Sequence, residues 1–353
     1  MKIHVLSETE NLMEGQGVHT AFVDMVELLK SKNDLEVVVN NQGKGDLFHS
    51  HTYGPMYFLK GLSYKGRRIL TVHVIPDSIK GSLPYWKLLY PLVKRYFRMV
   101  YSYADVCIAI SPMVEKAIKD LGVKTKIVRL ENPLPVDRWK TNITKKETGR
   151  HKLGITKYEF VVIGVGQIQQ RKGIEDFIEI AKVFPHITFV WVGGRPFGKL
   201  TEGINRINSK IEHAPKNIIF TGLVKLEAMP ELYSAADMMI FTSYQENCPL
   251  APLEAAAAGL PVVFKDLVEY RQLYNSDYLK ADTNEAFISQ IKSLYEEKEK
   301  YAQAVETSKK LINQFDKLEI RNSLLDLYHN LLNESDRNTK KQTQYEFSPE
   351  FLL

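Results

Sequence analysis

Apolar positions in this chain gather into short, nearly unbroken runs separated by longer stretches of helical periodicity. IHVL is followed by a helical stretch from about Val18 to Lys30, then by EVVV, DLFH, RRILTVHV, DVCIAI and KIVRL. Apolar runs of about four to eight residues fit strands buried on both faces, and the helical stretches between them fit parallel crossovers. A polar interval, KTNITKKETGRHK, carries no apolar period. Beyond it a second series begins with EFVVIGVG, HITFVWVGG, NIIFTG, DMMIFTS and LPVVF.

This pattern predicts an α/β protein of two doubly wound, Rossmann-like domains facing a cleft. The boundaries it suggests are 1–145 and 153–318, with a linker near 140–152. Residues 319–353 then form a helix crossing back to the first domain, followed by a polar tail. Ligands of such sheets bind outside the carboxyl ends of the strands, so polar residues at those ends are the candidates for chemistry.

Composition sharpens the setting. A chain of 353 residues, 44% of them hydrophobic, can fill two cores. The two cysteines, Cys107 and Cys248, lie far apart and read as free thiols, which suits a reducing compartment. MKIHVLSETE runs straight into a strand with no basic and apolar leader, and no apolar run reaches the length of a membrane-spanning helix. A cytoplasmic location is the expectation. Residues 1–150 carry eight more positive than negative charges, whereas the remainder of the chain, whose overall net charge is +5, is slightly acidic. The basic half points to an anionic surface, either membrane or nucleic acid, or simply to solvated lysines.

The densest chemistry lies in ENCPLAPLEAAAAGLPVV, from Glu246 to Val263. Asp237 to Ser243 reads as a strand running into a loop, and Pro249 and Pro252 keep a helix from starting much before Ala251. In an uninterrupted helix Glu246 and Glu254 would stand about 12 Å apart along the axis. With Glu246 on the loop, both can face one ligand. The amides around Cys248, Pro249, Leu250 and Ala251 form a helix amino end that suits an anion, and Gly259 and Pro261 close the helix. A carboxylate accepts hydrogen bonds from adjacent sugar hydroxyls, so the segment has the parts for a nucleotide sugar. The alternative is an ordinary helix whose acids are favoured by its dipole.

The spacing of Glu246 and Glu254 resembles the E-x7-E motif of retaining glycosyltransferases of family four, which have the GT-B fold. The resemblance implies that Glu246 contacts the donor sugar, Glu254 the ribose, and Asn247, Cys248, Pro249 and Leu250 the rest of a UDP-sugar. It extends to GVGQIQQRKGIEDFIEIA, where Arg171 and Lys172 would bind the diphosphate, although Gln167 stands where many relatives carry arginine. Gly15 and Gly17 of EGQGVHTAF would abut diphosphate and sugar. His73 of LTVHVIPD would lie against the transferred hexose, and His51 of DLFHSHTYGP on the acceptor side. Gly222 to Val224 of NIIFTGLV would hold the base. ENPLPVDRW departs from the family's N-G-V-D. Two cations at a helix start can neutralise a diphosphate without a metal cofactor, and no carboxylate or cysteine completes a ligand set with the histidines. The third glycine of a dinucleotide fingerprint is missing, and no P-loop run exists.

The acceptor side rests on LPYWKLLYPLVKRYFRMVYSY. At about 100° per residue, Lys87, Lys94, Arg95 and Arg98 share one sector, and Trp86, Leu89, Tyr90, Val93, Phe97 and Val100 occupy the rest. Such a helix can meet anionic headgroups with its cations while its rings insert shallowly, and Pro91 predicts a kink or break. The sequence is similar to bacterial glycolipid synthases that extend a glucosyl-diacylglycerol. The partners this implies are a UDP-sugar and a lipid acceptor at the inner face of the membrane, with no nucleic acid. A soluble or polyprenol-linked glycan is the other acceptor.

Overall fold

The computed structural model describes residues 1–346 except 12–16, 41–44, 63, 65, 81–84, 157–158 and 196–202, and describes 10–11, 62 and 335–346 by backbone alone. Gly15 therefore lies outside the described residues. The described strands form two six-stranded sheets in which every pairing is parallel. In the first sheet, β1 (Lys2–Leu6), β2 (Glu36–Val39), β3 (Leu47–Ser50), β4 (Arg67–Val72), β5 (Val106–Ala109) and β6 (Lys126–Arg129) take the order β2-β1-β3-β4-β5-β6. In the second, β7 (Val161–Val165), β8 (Thr188–Val192), β9 (Ile218–Gly222), β10 (Met238–Phe241), β11 (Val262–Lys265) and β12 (Leu279–Ala281) take the order β12-β11-β10-β7-β8-β9. The order reverses between β10 and β7, and their carboxyl ends open the crevice where doubly wound sheets take ligands.

Alternate residues of each strand feed opposite faces. Ile3, Val5, Ile69 and Ile108 enter one core of the first sheet, while Leu6, Leu70, Val72 and Cys107 enter the other. Burying one such aliphatic side chain contributes about 1.5–3 kcal/mol, and this accounts for runs that are apolar on both faces. Ile320, Leu324, Tyr328 and Leu331, three or four apart on the Lys317–Glu346 helix, cover the first of those faces beside Phe22, Met25 and Leu29.

The interval read as a linker is a helix, Ile143–Leu153. Its amino end is capped by the Asn142 side chain, which accepts from the Lys145 amide at 2.8 Å, and it ends at Gly154 with φ of 68°. It packs on the Met229–Ala235 helix of the second half. Leu134 and Trp139 already lie in the second core, so the chain crosses before residue 145. Hydrophobic patterning could not show this because the helix docks through a buried arginine and a glycine, with no apolar stripe. The guanidinium of Arg150 donates to the carbonyls of Ala235, Thr156 and Glu159 and to the Asp237 carboxylate at 2.7–3.1 Å. A β-carbon on Gly149 would meet the Glu231 carbonyl oxygen at 2.2 Å. Gly149→Ala is therefore expected to destabilise the protein by about 1–3 kcal/mol, the cost of overpacking, read as a lower denaturant midpoint.

The chain passes between the sheets twice, and the two passes run side by side. The Leu134 amide donates to the Phe315 carbonyl at 3.0 Å, within a parallel bridge between Leu134 and Asp316.

Candidate active site between the two sheets

A cavity of about 390 Å³ lies between the carboxyl ends of the two sheets. Its walls bring together Gly17, His73, Arg171, Lys172 and Val224 with the run from Glu246 to Leu250 and with Glu254. Among the described residues, two that were expected at the cleft do not line it. Gly222 sits at the end of β9 with φ of 71° and turns the chain so that Leu223 and Val224 reach the cavity. His51 is buried behind His73, its Nδ1 3.1 Å from His73 Nε2, and so holds that ring instead of facing an acceptor. Gly15 is not described.

The floor is set by a loop and a turn. Gly173, with φ of 71°, lets the chain pass against β10, where a β-carbon would meet the Thr242 carbonyl oxygen at 2.1 Å. This places Lys172 beside Glu246, and the two form an ion pair with side chains 14% and 10% exposed. Ser243 Oγ donates to the same carboxylate oxygen at 2.7 Å. Burial alone would push the Glu246 carboxyl up, but Lys172 and Arg171 hold it below its usual value. Burial lowers Lys172 to about 8, with Glu246 opposing and Arg171 adding to the fall. Arg171 Nη1 donates to the Gln245 carbonyl at 3.3 Å, which keeps a second cation at the same rim.

Pro252 sits at the start of the Ala251–Ala257 helix, leaving Glu246 on the loop and turning Glu254 inward at 6% exposure. Tyr233 donates to Glu254 Oε2 at 2.7 Å, and burial raises this carboxyl to about 7. Asn247 spans the cleft. Its Nδ2 donates to the His73 carbonyl at 2.8 Å and to Ser78 Oγ at 3.1 Å, while Gln245 Nε2 donates to its Oδ1 at 3.0 Å. Burial lowers His73 to about 4 and His51 well below its usual value, so both rings stay neutral. It pushes the Cys248 thiol up to about 12, which leaves it protonated. His19, Ser78 and Gln245 also line the cavity and were missed, although His19 falls within EGQGVHTAF and Ser78 and Gln245 directly adjoin quoted motifs, because a motif does not say which neighbouring side chains turn toward the cleft. Among the described residues, no group of three or more His, Cys, Asp or Glu side chains is placed to hold a metal ion.

Two sequence profiles match the chain: "Glycosyltransferase Family 4" over residues 32–138 and "Glycosyl transferases group 1" over 145–311. The alpha-galactosylglucosyldiacylglycerol synthase of Streptococcus pneumoniae is 35% identical over 285 residues, 79% of this chain and 76% of that protein. The chain belongs to the family-4 glycosyltransferases. This transferase is also 28% identical over 303 residues to the processive diacylglycerol alpha-glucosyltransferase of Acholeplasma laidlawii, covering 84% of this chain and 89% of that one. Its fold matches that of Anabaena HepE, solved in complex with UDP-glucose, with a TM-score of 0.76, 16% identity and 94% and 100% of the two chains covered. Its fold is thus the GT-B fold.

The basic helix of the transferase, Trp86–Tyr103, runs without a break through Pro91. Proline there removes only the amide that would bond the Lys87 carbonyl, on an exposed face where water replaces it. The apolar set read as membrane-facing points mostly inward. Phe97 and Val100 are buried, and Trp86 is half-buried edge-on against Tyr90 at 6.1 Å. The outward apolar residues are Leu89 of that set, exposed by 39%, together with Leu88, Leu92 and Met99, exposed by 78%, 67% and 53%. Exposed Lys87, Lys94, Arg95 and Arg98 flank them. Among the described residues no helix is long and apolar enough to cross a membrane.

Proposed function

We propose that this transferase moves a hexose, glucose or galactose, from its UDP-sugar to a glycosyl-diacylglycerol held in an anionic membrane surface, with retention of the anomeric configuration. The observation that carries the acceptor is the outward stripe of Leu88, Leu92 and Met99 beside four cations. Aliphatic side chains partition into the acyl boundary while lysine and arginine meet anionic headgroups. The two glycolipid-synthesising relatives support the same reading. The enzyme then docks on the inner face of the membrane without spanning it.

Glu246 accepts from hydroxyls of the donor hexose, His73 packs against that sugar, and Glu254 accepts from the ribose. Val224 flanks the base. Arg171 and Lys172 neutralise the departing diphosphate in place of a metal, and its oxygen takes the proton of the attacking hydroxyl on the same face. When the diphosphate arrives, Lys172 has a second anion to meet besides Glu246. This suits a cation already partly desolvated.

The test incubates the enzyme with UDP-glucose or UDP-galactose and vesicles with or without glucosyl-diacylglycerol. Transfer to the glycolipid is expected. Transfer only to a soluble or polyprenol-linked glycan would sink the acceptor assignment.

The two shifted groups also predict a pH profile. Ionised Glu254 is the better acceptor for ribose hydroxyls, and protonated Lys172 is needed at the diphosphate. For the free enzyme, kcat/KM for the donor should rise as pH passes about 7 and fall as it passes about 8. A profile flat across that window would separate these groups from donor capture.

A further inference from the structure

We infer that Tyr233 is a positioning residue for donor binding, which fixes the Glu254 carboxylate so that one oxygen belongs to the protein and the other to the ribose. The inference rests on the proposed assignment of Glu254 to ribose.

Tyr233 lies on the Met229–Ala235 helix with its side chain fully buried, and its ring meets that of Trp139 edge-on at 5.7 Å. A ring pinned in this way has one place for its hydroxyl, and that hydroxyl donates to Glu254 Oε2 at 2.7 Å. Burial and the neighbouring carboxylate hold the phenol well above its usual value, so it remains a donor wherever the enzyme works.

Glu254 lines the cavity, and Tyr233 is its one side-chain hydrogen-bond partner among the described residues. A carboxylate has room for about four hydrogen bonds. A buried carboxylate with one donor is therefore under-satisfied, and its remaining capacity, on Oε1 above all, is open to a ligand that brings hydroxyls. The terminal torsion of glutamate is broad, so nothing local would keep Oε1 turned to the cavity. The bond to Oε2 supplies that orientation before the donor arrives, and orientation set beforehand lowers the ordering cost of binding.

The support continues behind Tyr233. Trp139 belongs to Val136–Trp139, in the stretch where the chain crosses from the first sheet to the second. The preceding residue, Arg138, is ion-paired with Asp24 and Glu27 of the helix Gly17–Lys30, whose first turn lines the same cavity. The ribose acid is thus braced by the segment that joins the two halves. A phenylalanine would fill the space of Tyr233 equally well, and the hydroxyl adds only this one bond.

The test compares wild type, Tyr233→Phe and Glu254→Gln on UDP-hexose and on its 2′-deoxy and 3′-deoxy ribose analogues. In wild type, removing the contacted hydroxyl should raise KM about tenfold, the scale of one net hydrogen bond. In Tyr233→Phe the KM for UDP-hexose should rise about tenfold, with kcat moving far less, and the ribose-to-deoxyribose ratio should fall towards one. p-Aminophenylalanine at position 233 restores a donor and should restore the ratio, which a purely structural role would not do. Wild-type KM and ratio in Tyr233→Phe overturn the inference. If Glu254→Gln loses the ratio while Tyr233→Phe keeps it, the positioning role alone fails. If both keep it, the ribose assignment fails as well.

Discussion

Alanine at Lys172 is expected to lower turnover at least about a hundredfold, the scale for losing one electrostatic contact to a developing charge. The loss should fall on kcat more than on KM, because the cation is needed most when the diphosphate departs. Removing it also strands Glu246, which Lys172 and Arg171 hold ionised against burial. Without Lys172 that carboxyl takes up a proton more readily, so one substitution disturbs both the leaving-group side and the sugar side. Glu246→Ala should cost a similar factor, and the double variant much less than the product, since the two side chains act as a pair. The measurement is hexose transfer under single-turnover conditions, with circular dichroism showing that each variant is folded. Near-normal transfer in either variant would remove that residue from the site.

Aspartate at both Leu88 and Leu92 should weaken binding to anionic vesicles at least about a hundredfold. Each leucine inserted into the acyl boundary contributes about 1.5–3 kcal/mol, and each flanking cation about 1 kcal/mol. The two leucines are four residues apart on one helix face, so their loss removes a single contact area. They are 78% and 67% exposed, and the thermal midpoint should hold. Co-sedimentation with vesicles of anionic lipid reads the effect, and unchanged binding would count against the docking face. Raising the salt should weaken wild-type binding too, through the share carried by Lys87, Lys94, Arg95 and Arg98.

Most of the fold was legible because parallel strands buried on both faces are written as continuous apolar runs, such as VVIGV and TFVWV. The helix over Ile143–Leu153 was not, because Arg150 and Gly149 dock it by hydrogen bonds and close approach, which leave no periodic mark. Within the cleft, motif spacing brought Glu246, Glu254, Arg171 and Lys172 together in outline. It could not show that Lys172 pairs with Glu246, because these residues are 74 positions apart and meet only when β7 and β10 lie side by side. His51 was placed on the acceptor side by resemblance of a strand-end motif, but only the fold decides whether such a side chain is a cavity wall or lies in the layer behind it. For the basic helix, a wheel showed two sectors without showing which one the sheet would claim.

The cover that the Lys317–Glu346 helix places on the first sheet bears on how this enzyme is made. Ile3, Val5, Ile69 and Ile108 have part of their apolar lid supplied by Ile320, Leu324 and Tyr328, which the ribosome delivers only after the entire second sheet. The usual order of synthesis, in which the amino-terminal unit closes first, is therefore unavailable to this half. The first sheet must wait with one flank incompletely sealed, and it is finished last although it was begun first.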